Sequence, residues 1–164
     1  MLRKIFFALF VLVLLEGCAY SFSKSTLPGH LKSIVIQPID NKTYYSLLAD
    51  DLYQAMEQTF RREAPKLKQV DQAAHCELYI TLSKYSNQPL NYSASGQVSQ
   101  YQTTMDVSVR FFDVVKETVL YENKSLKATG EYNVDEGETE TAHGQARAIQ
   151  NLQQLLTSNL LSKW

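Results

Sequence analysis

The sequence has few of the residues that build chemical centres. Its 164 residues include two cysteines and three histidines. There is no CxxC, no HExxH and no histidine cluster, so no metal-ligand spacing is present. His30, His75 and His143 are scattered, and Glu140 with His143, one turn apart, is a common pair on a helix surface. No nucleophile elbow or phosphate loop occurs. Neither catalysis nor a cofactor or metal is expected. Two cysteines cannot make a disulfide framework, and Cys76, just before an apolar strand pattern, reads as a buried, inert thiol. No repeat of fixed period and no low-complexity tract is present. Apolar residues are 45% of the chain and charged residues 20%, which supports a packed core and argues against disorder.

The apolar run at the N-terminus is short. Residues 5–15 are eleven apolar residues behind Arg3 and Lys4. As a helix they reach about 16 Å, against a hydrocarbon core of about 30 Å. A positive head, a short apolar centre and a small residue before the cut form a secretory signal peptide. Leu15-Glu16-Gly17-Cys18 resembles the bacterial lipobox, in which the cysteine is lipidated and begins the mature chain; Glu16 departs from its usual small residue. The alternative is an ordinary cut near Gly17 that leaves Cys18 an unpaired thiol. Ala19, rather than Asp, follows the cysteine and resembles an outer-membrane address. Each buried acyl CH₂ contributes about 0.8 kcal/mol, so a diacylglyceryl group on Cys18 would hold a soluble domain firmly on a membrane face.

Removal of residues 1–17 leaves 147 of the 164 residues, with 14 basic and 16 acidic side chains. That size suits one domain, and the slight negative balance gives no broad attraction to nucleic acid. Residues 18–31 read as the lipidated cysteine and a polar tether ending at Pro28-Gly29. Residues 32–164 read as the domain. Three Asn-x-Ser/Thr triplets, at Asn41, Asn91 and Asn123, are chance matches behind a bacterial lipobox.

Within the domain, residues 32–39 are a β-branched strand ended by Pro38, and residues 40–43 a turn. Ser46 can cap a helix to Glu63 whose stripe is Leu48, Leu52, Ala55, Met56 and Phe60, with Arg61 and Arg62 in its last turn and Pro65 as its stop. Residues 67–70 form a short strand. From Glu77 the chain alternates, with Leu78, Ile80 and Leu82 on one face and Tyr79, Thr81, Ser83 and Tyr85 on the other. Residues 86–96 are loop-like. Residues 97–111 alternate again, Tyr101, Thr103, Met105, Val107, Val109 and Phe111 sharing a face. A further strand covers 119–129, and 130–137 is an acidic loop. Thr139 or Thr141 can cap a second helix, to Leu161, with the stripe Ala142, Ala146, Ile149, Leu152, Leu156 and Leu160, which Ala148 and Leu155 widen; Gly144 weakens its first turns.

These elements predict an α+β fold: a two-layer sandwich with two helices on one face of a roughly four-stranded, mainly antiparallel sheet. The 97–111 strand would extend about 50 Å and the first helix only about 27 Å. Helices cannot roof that strand, so part of its hairpin projects or the strand bends at a bulge.

Several segments resemble the lipopolysaccharide-assembly lipoprotein family, LptE. They are Cys18-Ala19-Tyr20-Ser21-Phe22-Ser23, Leu27-Pro28, the strand and its exit Ile34-Val35-Ile36-Gln37-Pro38-Ile39-Asp40-Asn41-Lys42-Thr43, the loop Pro89-Leu90-Asn91-Tyr92 with Gly96, and a C-terminal helix ending in Trp164. The resemblance implies two helices on a four-stranded sheet. It also implies a role as plug and assembly factor inside the outer-membrane β-barrel LptD, with lipopolysaccharide bound on its way to the outer leaflet. The protein is then expected at the outer membrane, lipid-anchored on the periplasmic side. The projecting hairpin is the expected barrel-facing surface, through Tyr85, Pro89, Tyr92, Gly96 and Tyr101, since aromatics are enriched in interface cores. Lys84, Arg110, Lys124 and Lys127 lie on strands and could meet lipid phosphates; solvated strand positions are their default. A second class fits the opening as well. Some lipoproteins that activate cell-wall synthases or build secretion pores begin with a strand ending in Asn-x-Thr, as at Asn41-Lys42-Thr43, before a helix.

Overall fold

A computed structural model describes residues 27–134 and 140–161. Its elements are β1 (Ser33–Ile36), β2 (Asp40–Asn41), α1 (Leu47–Glu63), β3 (Lys68–Gln69), β4 (Cys76–Tyr92), β5 (Val98–Asp113), β6 (Thr118–Asn133) and α2 (Glu140–Leu156), which runs into a π-helical turn, Thr157–Leu161. The long alternation of β5 puts it at the heart of the sheet: Thr103, Met105, Val107, Val109 and Phe111 are buried on one face. β4 and β6 flank it antiparallel.

The two helices lie on one face, as expected, but the sheet has six strands and is mixed. The order is β3-β1-β4-β5-β6, with β2 also on β4. β1 runs parallel to β3 and β4, and β2 runs parallel to β4. The expected four-stranded, mainly antiparallel sheet missed this because α1 is a crossover. A strand, a helix and a second strand side by side make a parallel pair, and β1-α1-β3 is that unit. Residues 40–43 are not simply a turn. Asp40 and Asn41 pair with Thr81 and Leu82 of β4, and the Asn41 carboxamide oxygen then accepts the Thr43 N–H at 2.9 Å to turn the chain away. Residues 86–96 are not all loop either: β4 continues to Tyr92, and only the tip turns, closed by Ser93 N–H to the Gln97 carbonyl at 2.7 Å.

The α1 stripe forms as read. Leu48, Leu52, Ala55, Met56 and Phe60 are all buried, and fully burying a Leu, Met or Phe side chain contributes about 1.5–3 kcal/mol. Ser46 sits at the N-cap, but its side chain makes no capping bond. The helix stops where Ala64 N–H returns to the Phe60 carbonyl at 2.9 Å, just before Pro65.

The stripe of α2 differs from the reading in its first half. Ala142 and Ala146 are exposed, and the buried positions are Gly144, Ala148, Leu152, Leu156 and Leu160, each four residues on. Gly144 sets this register. A Cβ there would lie under 3.0 Å from Thr103 Oγ1 and the Tyr132 ring, and one on Gly130 would lie under 3.0 Å from the Gly144 carbonyl and the Ala148 nitrogen. The helix backbone therefore rests directly on β5 and β6. The two helices are joined by Gln153, whose Nε2 donates to the Ala55 carbonyl and to Thr59 Oγ1, both at 2.9 Å. Thr141 lies inside α2; Thr139 and the lipobox, Cys18 included, lie outside the described residues.

Candidate partner interface

The local chain of β4 decides what its far half presents. The register shifts between Leu82 and Lys84, leaving Ser83 as the extra residue of a bulge. A bulge reverses the faces of everything beyond it. Lys84 therefore turns to the face away from the helices. Tyr85, opposite the buried Met105, turns to the helix face, although simple alternation placed it beside Tyr79. Tyr85 is half-buried, its ring centroid 4.5 Å from that of Tyr45. Burial pushes its phenol above the ordinary range against the lowering effect of a Thr103 hydrogen bond, with Tyr45 adding to the rise.

Further out on the helix face, Asn87 donates to the Tyr132 hydroxyl and accepts from Thr103 Oγ1 at 3.4 Å. Tyr101 stacks on Tyr132 with centroids 5.5 Å apart and planes 15° apart. Pro89 pairs with Tyr101 across the ladder and is exposed, as is the whole run to Gln97. Tyr92 is 63% exposed, and Gly96 takes φ +81° in the tip. So the structure groups Tyr85 and Tyr101 on one half-buried face, whereas Tyr92 and Gly96 sit on the projecting end.

Beside Tyr85 stands a patch the sequence reading missed. Tyr44 is fully exposed, Leu47 is 75% exposed and Tyr45 57%. The signal was two consecutive tyrosines in the polar turn between a strand and a helix.

The opposite face of the sheet carries no helix among the described residues. Lys84, Asp106 and Lys127 form one cross-strand row, with Lys127 Nζ 3.8 Å from Asp106 Oδ1. Arg110 lies in the row Tyr79–Arg110–Glu122, its guanidinium 5.0 Å from the Phe112 ring and 5.9 Å from that of Tyr79. Lys124 is exposed where the β5–β6 register breaks between Val107 and Val109. Lys84, Arg110 and Lys127 thus share a face, interleaved with Asp106 and Glu122, and Lys124 stands in an irregular stretch beside it.

At the other end of the sheet a buried polar cluster ties down the start of the domain. His30 Nε2 meets Asp113 Oδ2 at 2.5 Å. Asp113 is fully buried, and its Oδ1 accepts the N–H groups of Val115 and Lys116, each at 3.0 Å. Burial pushes this carboxyl up, but the bonds from His30 and from the Lys116 and Val115 amides, with the His30 charge, outweigh it and hold it below the usual carboxylate range. Next to it, burial and the Asp113 and Glu77 charges push the Cys76 thiol up to about 12, and its Sγ donates to the Ser33 carbonyl at 3.3 Å. Such a thiol is protonated and inert. The cluster is structural. An open cleft of about 580 Å³ between α1 and β3, lined by Tyr53, Glu57, Arg61, Lys68 and Asp71 over Ile36 and Leu67, mixes charges of both signs.

Two helices on a mixed sheet, with a long hairpin running beyond them and an exposed aromatic patch at its root, define a binding module. Residues 31–164 match the model of the LptE family, described as lipopolysaccharide-assembly. The chain belongs to that family. Its fold is also that of PelC, solved as a dodecamer from Paraburkholderia phytofirmans (TM-score 0.53, 14% identity, covering 82% of this chain and 92% of that one). It is shared by lipoprotein B from Nitrosomonas europaea (0.51, 17%, 89% and 88%). A minor lipoprotein from Acinetobacter baumannii is similar as well (0.50, 15%, 82% and 93%). No curated protein sequence matches the chain.

Proposed function

We propose that this chain is an outer-membrane lipoprotein that serves as plug and assembly factor for the lipopolysaccharide-translocation barrel, an LptD-like partner, and takes part in moving lipopolysaccharide to the outer leaflet. Residues 1–17 are its signal peptide, Cys18 carries the lipid, 18–31 form the tether, and 32–164 the domain on the periplasmic side. The observation that carries this reading is the family match over residues 31–164. The hairpin supports it: residues 87–97 are exposed at the end of a sheet too long for its helices, the shape a plug needs to enter a larger lumen. Tyr92 and Pro89 at that end, with Gly96 in its turn, would meet the barrel first, and Tyr85 and Tyr101 would hold the hairpin stiff behind them. Lys84, Arg110, Lys124 and Lys127 would face lipid phosphates from the helix-free side.

The test is purification from outer membranes in mild detergent with mass-spectrometric identification of what comes with it. A β-barrel at near-equal molar ratio is expected. A lone monomer would refute the plug. Depletion separates the runner-up: loss of surface lipopolysaccharide supports the present reading, whereas altered peptidoglycan with intact lipopolysaccharide points to another envelope machine, such as a cell-wall synthase or secretion pore.

A further inference from the structure

The two long free edges of the sheet are treated differently. The outer edge of β6 is capped by α2. Asn151 Oδ1 accepts the Thr129 N–H at 3.4 Å, and Arg147 Nη1 donates to the Glu131 carbonyl at 2.5 Å. Those main-chain groups point away from β5 and are already satisfied. The edge of β4 is different. β1 pairs with Cys76–Leu78 and β2 with Thr81 and Leu82, the last bond running from Lys42 N–H to the Leu82 carbonyl at 2.9 Å. Beyond that point the Asn41 turn carries the chain off the sheet, and among the described residues no strand pairs with β4 on this side.

The register tells which groups are left open. Thr129 faces outward from β6, so its mate Thr104 bonds toward β4, to Ser86. Alternate residues point opposite ways in a ladder, so Tyr85, Asn87 and Pro89 face the open edge with their N–H and C=O groups, Pro89 with its carbonyl alone. This explains how a proline sits inside a long strand: its nitrogen faces where no bond to β5 is needed. Unpaired edges of this kind are templates for a further strand. On the helix side of the same edge stand Tyr45, packed on Tyr85, and the exposed Tyr44 and Leu47, a ready shelf for alternate side chains of an added strand.

We infer that the Tyr85–Asn87–Pro89 edge of β4, with the Tyr44–Tyr45–Leu47 shelf, takes up a short extended segment of the partner barrel by strand addition. Main-chain bonds would give the affinity, and apolar side chains at every second residue would seat on the tyrosines. The Ser83 bulge and Pro89 limit the paired stretch to about five residues. The inference rests on the plug reading for its occupant.

The experiment is amide hydrogen exchange on the full lipoprotein, alone and in the barrel complex as isolated in detergent. The Tyr85 and Asn87 amides exchange fast in the free protein and slow by roughly a hundredfold in the complex, as ladder amides do, while the α2-capped Thr129 amide is unchanged. A barrel complex in which these two amides stay fast overturns the inference and leaves the plug reading standing. Absence of any barrel removes the plug reading, and the named occupant with it. Protection already present in the free protein, or appearing only at high concentration without a barrel, means that the edge is filled by this chain or a second copy, and also overturns it. A pair of variants isolates the main chain. N87A removes the side-chain bond to Tyr132 but keeps the outward N–H, and N87P removes that N–H without breaking a bond to β5. N87P should weaken barrel retention about tenfold relative to N87A. Equal retention by the two overturns the inference, whatever their common level, because the side chain then accounts for any loss.

Discussion

Replacing Gly130 with Ala should unfold this domain more readily than any other single added methyl on its glycines. On local grounds the change is favourable, because glycine inside a strand is worse than alanine by roughly 0.5–1 kcal/mol. Here the new Cβ would lie under 3.0 Å from the Gly144 carbonyl oxygen and the Ala148 nitrogen. Both are main-chain atoms of α2, so no rotamer change relieves the contact, and the helix itself must lift from β6. Overpacking a filled interior costs about 1–3 kcal/mol, and lifting α2 also loosens the contacts of the fully buried Ala148 and Leu152. The net loss is about 2–3 kcal/mol, or roughly 5–10 °C in Tm at this size. Gly144→Ala meets a side-chain oxygen and an aromatic ring instead. Those can shift, and the helix gains about 1 kcal/mol in propensity, so its loss should be near 1 kcal/mol. Gly29→Ala meets nothing within 4 Å at an ordinary φ and should be neutral, while Gly96→Ala keeps the space but is strained by φ +81°. Urea unfolding of the unlipidated mature chain, followed by far-ultraviolet circular dichroism, measures all four. Gly130→Ala as stable as the parent, or no worse than Gly29→Ala, would refute direct seating of the α2 backbone on the sheet.

Acid should act through Asp113. Its carboxyl is held below the ordinary range in the fold, so it contributes stability that is complete above its unfolded value near 4 and is lost as pH falls through the lower folded value. Asp113→Asn should be less stable at neutral pH and flatter below about pH 4 in urea midpoints; an unchanged acid limb would rule the ion pair out. In a Cys18→Ser background Cys76, pushed up to about 12 and fully buried, should resist a thiol reagent at pH 8 in the native protein and react at once in urea; fast native reaction would mean that the β1–β4 end of the sheet opens.

The sequence made the first helix and the central strand readable because in each the apolar period and the buried face coincide: Leu48, Leu52, Met56 and Phe60 on α1, and Thr103 through Phe111 on β5. What it hid were departures from period that leave no compositional mark. Ser83 resembles any other serine in an alternating strand, yet as a bulge it moves Tyr85 from the solvent face to the helix face and Lys84 the other way. Sequence reasoning thus paired Tyr85 with Tyr79, when its neighbours are Met105 and Tyr45. Gly144 was read as a weak point of α2 on propensity alone. Propensity describes an isolated helix, and the missing Cβ is what lets this one touch Thr103 and Tyr132; that contact in turn rotates the stripe away from Ala142 and Ala146.

The parallel strands were within reach, since a β-branched run, an amphipathic helix and a short second strand in that order already specify a crossover. Recognising it changes what the rest of the chain must do. Once β1, backed by β3, occupies the near half of the β4 edge, the far half can be closed only by β2, and β2 ends after two residues because Asn41 takes the Thr43 amide and hydroxyl on its own side chain, at 2.9 and 2.8 Å. The same Asn-Lys-Thr triplet that ends the first strand pattern in the sequence is therefore what leaves residues 83–92 of β4 without a neighbour on that side among the described residues. A strand edge vacated by a specific turn, next to an edge of the same sheet that Asn151 and Arg147 cap, is a difference in how the chain treats two equivalent liabilities, and it is the difference that a strand-donating partner would exploit.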